Sequence, residues 1–175
     1  MTTPAEMTKK FWKAVHADRT MMVGLAGVDD CHMRPMTAVT EGEHGPIWLF
    51  TAKQVTLVTR LDSSSRAVAS FIAKGHDLFA SIHGRLTVSN DPAIIDRLWN
   101  PMIAAWYAGG RQDPVLTLLR FDAEDAELWL SETGLLAGLK MLFGKDPKAD
   151  YADKVATVKL DWLGSPARGE PARRP

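Results

Sequence analysis

The sequence predicts a mainly β (α+β) fold, an antiparallel β-barrel with short flanking helices. About seven segments have the alternating or continuous apolar pattern of strands, and short turns separate them. Three or four short helical segments lie between these strands. Strands and helices do not alternate regularly, as they would in a βαβ fold. This combination is typical of an antiparallel barrel with helices at its ends.

The chain begins with a predicted helix. Thr3 can cap it, Pro4 suits the first helical position, and Glu6 completes a capping box. The apolar face of this helix continues to about Asp18. Three predicted strands follow, over residues 20–27, 31–40 and 46–51.

A short helix and a hairpin are predicted in the middle of the chain. Val55, Val58 and Leu61 have helical spacing and predict a helix over residues 53–61. The hairpin strands cover residues 66–73 and 78–88.

Pro92 then begins another helix, and Pro101 restarts or kinks it. The remaining elements are an antiparallel pair over 115–121 and 126–130, a helix over 134–143 and a final strand over 155–162. Residues 1–163 are predicted to form one domain. Residues 164–175, rich in Pro, Arg, Gly and Ala, are predicted to be a disordered tail.

Composition excludes several classes of protein. The formal net charge is zero, with 21 basic and 21 acidic side chains, which argues against a nucleic-acid or membrane-surface binder. No apolar run is long enough to span a bilayer, and no secretory signal begins the sequence. Cys31 is the only cysteine, and the five histidines lack metal-ligand spacing, so we predict no metal site. We expect a cytoplasmic protein.

Arg34 is the first candidate binding residue. It lies in an apolar strand, where a guanidinium can hold a phosphate with two hydrogen bonds. Pro35 cannot donate a hydrogen bond to a neighbouring strand, so the strand is an edge or is bulged there. The alternative is a surface arginine that pairs with a carboxylate.

Thr51 ends the strand Ile47-Trp48-Leu49-Phe50 and precedes the short helix. Its hydroxyl, Lys53 and the free N–H groups at the helix start could together hold an anion. The alternative is that Thr51 only caps this helix.

We interpret Trp99 and Trp106 as core residues, because indoles bury large areas and need one hydrogen bond each. For Trp129, core and cofactor-binding roles both remain open, because it ends a strand that could reach a pocket.

A block of Trp, Pro and Gly residues carries a family resemblance. It reads Leu98-Trp99-Asn100-Pro101, Ala105-Trp106, Gly109-Gly110 and Asp113-Pro114. With Arg34-Pro35-Met36 and the strand ending at Thr51, it resembles the general stress protein branch of the pyridoxamine 5'-phosphate oxidase-like split-barrel flavoproteins. The resemblance extends from about Met7 to Trp129. It implies a six-stranded split barrel, a homodimer, and FMN in a groove between the subunits.

The same resemblance nominates flavin-binding residues. They are Arg34, Pro35, Met36, Trp48, Leu49, Phe50, Thr51, Lys53, Thr56, Leu57 and Trp129. Many members of the family have a Ser-x-Lys pattern whose lysine contacts the FMN phosphate. Here the matching residues read Val55-Thr56-Leu57, which implies FMN binding that is weakened, differently anchored or lost.

Two functions follow from these observations. The first is an FMN-dependent oxidoreductase, in which the flavin supplies the reactivity. The second is a non-catalytic stress protein that binds flavin or another small ligand on the same scaffold. A structural dimer without a ligand is a third alternative.

Overall fold

The computed structural model describes residues 2–28, 32–131 and 154–160 of the 175-residue chain. Within these ranges the chain forms four α-helices, a short 3-10 helix (Gly110–Gln112) and seven strands. The helices are α1 (Pro4–Asp18), α2 (Thr56–Thr59), α3 (Pro92–Leu98) and α4 (Pro101–Ala104). The strands are β1 (Thr20–Leu25), β2 (Arg34–Val39), β3 (Ile47–Ala52), β4 (Ser65–Ile72), β5 (Leu78–Val88), β6 (Leu116–Leu130) and β7 (Val155–Lys159).

Six of the described strands close into an antiparallel barrel, which confirms the fold predicted from the sequence. Neighbouring strands follow the order β3-β2-β1-β4-β5-β6, and β6 pairs back onto β3. β7 adds to β6 outside this closed ring. Closure matters because it removes the free sheet edges that an open sheet would expose.

The barrel encloses a core to which alternate residues of each strand contribute. Along β3, Ile47 and Leu49 belong to this core, whereas Trp48 between them belongs to a second cluster. α1 contributes Phe11, whose ring packs edge-on against Phe71 with centroids 6.2 Å apart. Each such side chain stabilises the fold by about 1.5–3 kcal/mol when fully buried.

The second cluster attaches α3 and α4 to the barrel surface. Its buried members are Trp48, Ile95, Leu98, Ile103, Tyr107, Leu116 and Leu118. They come from β3, β6, the two helices and the segment after α4. This cluster therefore fixes α4 beside the adjoining strands β3 and β6.

The predicted capping box of α1 is confirmed. The Glu6 amide donates to the Thr3 hydroxyl at 3.2 Å, and the Thr3 amide donates to the Glu6 carboxylate at 2.7 Å. Two of the amides that a helix start leaves without partners are thereby satisfied.

The prediction of two strands over 115–121 and 126–130 is wrong, because β6 runs unbroken from Leu116 to Leu130. Three acidic residues, Asp122, Glu124 and Asp125, lie between the two predicted segments. In the structure their charges are compensated: Arg120 bonds Asp122 at 2.8 Å, and Arg66 bonds Glu124 at 2.5 Å. A register shift opposite His83 and Gly84 absorbs one extra residue as a β-bulge, so the strand continues.

α2 is shorter than predicted and covers Thr56–Thr59 instead of 53–61. Residues 53–55 lead from β3 into the helix, and the Val55 amide donates to the Ala52 carbonyl at 3.3 Å. The predicted helix over 134–143 and the predicted tail over 164–175 lie outside the described residues.

Candidate functional site

The barrel wall opens between β2 and β3. The two strands pair through Ala38 with Leu49 and Val39 with Trp48. The first part of β2, from Arg34, pairs with β1 and not with β3. The last part of β3, up to Ala52, pairs with β6 and not with β2. Pro35 contributes to the opening because it has no N–H to donate to a neighbouring strand.

A cavity of about 370 Å³ occupies this opening, a volume within the usual range for small-molecule sites. Its first wall is β2 and its second is the end of β3 with the start of α2. Its third wall comes from α4, the segment after it and Val115, which directly precedes β6. The lining residues are Arg34, Pro35, Met36, Thr37, Val39, Phe50, Thr51, Ala52, Val55, Met102, Ile103, Trp106, Tyr107 and Val115.

Arg34 supplies a positive charge to this cavity. The residue is exposed, and its guanidinium forms no ion pair or hydrogen bond with any residue that the structure describes. The other described arginines each have a bonding or electrostatic partner, such as Glu41 for Arg97 and Asp96 for Arg111. The alternative that Arg34 pairs with a surface carboxylate is therefore not realised within the described ranges.

Thr51 lines the cavity and does not cap α2. The N-cap of α2 is Val55, which offers no side-chain hydrogen bond. Thr51 is instead paired opposite Thr117 in the barrel. Both residues are buried, and the Thr117 hydroxyl has no hydrogen-bond partner among the described residues. Thr51 thus contributes a hydroxyl group to a lining that is mostly apolar.

The cavity's titratable lining consists of Arg34 and Tyr107. Burial raises the pKa of the Tyr107 phenol, and the nearby Asp113 charge raises it further. The phenol therefore stays neutral near pH 7 and can act as a hydrogen-bond donor. Among the described residues that line the cavity, no carboxylate or imidazole is present to act as a general base at that pH.

The structure brings together five of the residues nominated from the sequence: Arg34, Pro35, Met36, Phe50 and Thr51. Their proximity follows from the antiparallel arrangement of β2 and β3, which places the start of one strand beside the end of the other.

The other six nominated residues do not line the cavity. Lys53 and Thr56 are exposed and lie next in sequence to the lining residues Ala52 and Val55. Trp48 and Leu49 are buried in the two apolar clusters, and Leu57 is fully buried in the barrel core. Trp129 lies at the opposite end of the long strand β6 from Leu116.

Sequence reasoning missed the third wall, formed by Met102, Ile103, Trp106, Tyr107 and Val115. The interpretation of Trp106 as a core residue is wrong, because 83% of this residue is exposed. Only Trp99, packed against Phe50 and Tyr107, behaves as interpreted. α4 ends at Ala104, so the chain leaves the helix before Trp106 and does not turn its indole inward.

The sequence profile of the pyridoxamine 5'-phosphate oxidase-like family matches residues 6–149. This match covers most of the chain, and the chain belongs to that family. The membership inferred from the tryptophan and glycine block is thereby confirmed.

Solved structures of general stress proteins are similar in sequence and fold. One, from Xanthomonas campestris pv. campestris, is 55% identical, with a TM-score of 0.72 over 79% of this chain and 96% of that one. The general stress FMN/FAD binding protein of Xanthomonas citri is 56% identical, with a TM-score of 0.72 over 77% of this chain and 95% of that one. General stress protein 26 from Jannaschia sp. CCS1 is 29% identical, with a TM-score of 0.71 over 89% and 99%.

No curated protein matches the chain. None of the described helices is long and apolar enough to cross a membrane. In the same residue ranges, no three His, Cys, Asp or Glu side chains are grouped so as to hold a metal ion.

Proposed function

We propose that the chain binds FMN in the cavity between β2 and β3 and acts as a flavin-dependent oxidoreductase. The observation that carries this proposal is the guanidinium of Arg34, which lines a largely apolar cavity and has no partner among the residues that the structure describes. A charged group without a protein partner is suited to an anionic ligand, and guanidinium geometry suits phosphate.

The lining fits the two chemically different parts of FMN. Arg34 and the Thr51 hydroxyl offer a cation and a polar group for the phosphate and its attached chain. Met36, Phe50, Ile103 and the other apolar residues offer surfaces for the ring system. A bound flavin would supply hydride or electron transfer, and the protein would supply position and electrostatics.

Leu57 affects the expected strength of binding. Its side chain lies in the barrel core at the position where the family resemblance implies a phosphate-binding lysine. Losing one charge-assisted hydrogen bond costs about 1.5–3 kcal/mol, roughly ten- to hundred-fold in affinity. We propose that Arg34 is the main phosphate contact, that Lys53 and Thr56 lie at its periphery, and that FMN binds more weakly than with that lysine present.

Titration of the purified apo-protein with FMN, followed by flavin fluorescence, tests the proposal. We expect saturable binding that weakens about ten- to hundred-fold in Arg34→Ala, because the variant loses a charged contact to phosphate. Arg85→Ala is the matched control, since Arg85 lies on β5 and pairs with Glu124. Absence of binding by the wild-type protein, or equal affinity in Arg34→Ala, would contradict the proposal.

A non-catalytic flavin-binding or small-ligand-binding stress protein is the second candidate. The absence of a carboxylate or imidazole among the residues lining the cavity favours it, because little acid–base catalysis is available. Oxidation of NADH or NADPH by the FMN-loaded protein separates the two candidates. A rate well above that of free FMN supports the oxidoreductase, whereas stable binding without turnover supports the second candidate.

We further propose, on the family resemblance, that the protein is a cytoplasmic homodimer and that residues 1–163 form its single flavin-binding domain. Trp129, remote from the cavity within one chain, stays a prediction for that site. Sedimentation velocity with and without FMN measures the assembly, and a monomer at micromolar concentration would contradict this part of the proposal.

A further inference from the structure

Three large apolar residues at the third wall of the cavity are exposed to solvent. Trp106 is 83% exposed, Met102 59% and Val115 36%. All three line the cavity, so together they form an apolar rim, defined here as these three residues. Indoles are highly buried on average, so this degree of exposure in a Trp at a cavity mouth requires an explanation.

The Trp106 side chain has no aromatic or hydrogen-bonding partner among the described residues. Its ring contacts no other aromatic ring, and its indole N–H makes no hydrogen bond, in the part of the chain that the structure describes. By contrast, Trp99 packs against Phe50 and Tyr107 and lies under the Arg111 guanidinium. Most of the Trp106 side chain is therefore accessible to a ligand.

The backbone that carries Trp106 is nevertheless held in place. Its amide donates to the Ile103 carbonyl at 3.0 Å, and the following amide, of Tyr107, donates to Ala104 at 3.2 Å. Ile103 and Tyr107 are buried in the cluster beneath α4. A ring presented from such a rigid support loses little conformational entropy when it binds, because only two side-chain torsions are restricted.

The cavity thus has two different kinds of ligand-binding group on two of its walls. Arg34, on the first wall, provides charge, and Trp106, on the third, provides an aromatic face. Planar heteroaromatic rings stack on tryptophan with appreciable affinity, independently of any charge that the ligand carries elsewhere.

We propose that Trp106 is the stacking surface for the planar ring of the bound flavin. This inference rests on the proposed FMN site and assigns the ring-binding residue within it. The apolar rim is then covered by ligand in the loaded protein, which accounts for its exposure in the free chain.

FMN and riboflavin together test this assignment, because they share the ring and differ in the phosphate. Dissociation constants of both flavins are measured for the wild type, Trp106→Ala, Trp106→Phe, Trp106→Leu and Arg34→Ala. Ile72→Ala is the matched control, since Ile72 is 53% exposed on β4 and lies outside the cavity lining. Thermal unfolding is recorded for each variant, and we expect no loss of stability in Trp106→Ala because the side chain is exposed.

The expected result is a split pattern. Trp106→Ala weakens FMN and riboflavin by the same factor, about ten-fold or more. Arg34→Ala weakens FMN alone. Trp106→Phe restores most of the affinity and Trp106→Leu does not, because leucine has comparable apolar character but no aromatic face.

Three outcomes would overturn the assignment. If the wild type binds both flavins and Trp106→Ala binds them equally well, Trp106 does not stack and the proposed FMN site still stands. If Trp106→Ala loses affinity only together with conversion of a dimer to a monomer, the rim is covered by a second copy of the chain. If the wild type binds neither flavin, the proposed function and this assignment both fail.

Discussion

At the scale of single residues, the burial of Leu57 makes position 57 unsuitable for a phosphate-binding cation. Its side chain is fully buried in the barrel core. We predict that Leu57→Lys lowers the free energy of unfolding by about 3 kcal/mol, because it buries an unpaired charge among apolar side chains. Urea denaturation measures this change.

Thr56→Lys is the matched control for that experiment. Thr56 precedes Leu57 on α2 and is exposed. We expect its stability to stay within about 0.5 kcal/mol of the wild type, as for most surface substitutions. Equal stability of the two lysine variants would show that residue 57 is not confined to the core.

Gly84 is a residue that the barrel requires for space. A Cβ atom at this position would overlap the Asp122 carbonyl oxygen and lie 2.9 Å from the Phe121 ring. We predict that Gly84→Ala lowers the free energy of unfolding by about 3 kcal/mol, because backbone on the facing strand must move.

Gly75→Ala is a suitable comparison for Gly84→Ala, again by urea denaturation. At Gly75 the nearest atom to a new Cβ is the flexible Asp77 carboxylate, at 3.1 Å. A change of no more than about 1 kcal/mol is expected there, since the side chain can move aside. A tolerated Gly84→Ala would contradict the close approach of β5 and β6.

Individual site residues were predictable where their chemistry was unusual for their position. Arg34, a cation in an apolar strand followed by Pro35, was a candidate binding residue from the sequence, and the structure places it in the lining of the cavity. The exposure of Trp106 was not predictable, because residue type favours burial and the direction of an indole depends on where α4 ends.

At the scale of elements, the segment between α4 and β6 is braced by Asp113. One carboxylate oxygen accepts from the Gly109 amide at 2.9 Å and the other from the Val115 amide at 3.0 Å. These hydrogen bonds lower the pKa of Asp113, so the brace is charged at neutral pH. The brace holds the third wall of the cavity between Trp106 and Val115.

We predict that Asp113→Ala weakens FMN binding several-fold and accelerates tryptic cleavage after Arg111, which lies in the braced segment. Loss of the two amide bonds increases local opening without unfolding the barrel. Asp96→Ala serves as the control, because it removes only the exposed ion pair with Arg111. Identical cleavage rates in the two variants would show that the carboxylate of Asp113 does not brace the wall.

Most elements were predictable from periodicity and turn residues, and the errors have a common physical cause. Asp122, Glu124 and Asp125 lie between the two predicted strands, but in the barrel arginines from β4, β5 and β6 itself pair with Asp122 and Glu124. Those partners are distant in sequence, for example Arg66 for Glu124, so no local pattern could reveal them.

At the scale of the whole molecule, acid should destabilise the fold through specific carboxylates. Hydrogen bonding from the Lys10 ammonium lowers the pKa of Asp77, and hydrogen bonds from Thr3 lower that of Glu6. A depressed folded-state pKa stabilises the fold above the ordinary carboxyl pKa of about 4, and this contribution is lost as pH falls through the folded value.

We therefore predict that the urea midpoint falls as the pH is lowered below about 4, and that Asp77→Asn reduces this dependence. The substitution removes the titrating partner of Lys10, which lies 2.9 Å from the Asp77 carboxylate. Asp62→Asn is the control, because the Asp62 carboxylate has no ion pair in the described ranges. Identical pH profiles for Asp77→Asn and the wild type would contradict the prediction.

The closure of the barrel illustrates what sequence can indicate at this scale. The class of fold, an antiparallel barrel with short helices, followed from apolar patterns and short connections. The opening between β2 and β3 could not be predicted from the sequence. It depends on the register of the two strands, which pair only through Ala38 with Leu49 and Val39 with Trp48. Long-range register is fixed by packing of both strands on their other neighbours.

Amide hydrogen exchange with and without FMN tests the central claim most directly, because it locates the ligand on the chain. We predict slower exchange in β2 over Arg34–Val39, at the end of β3 and in residues 102–107, with no change in the β4–β5 hairpin. Protection confined to other parts of the chain, at an FMN concentration that saturates binding, would contradict the assignment of the cavity between β2 and β3.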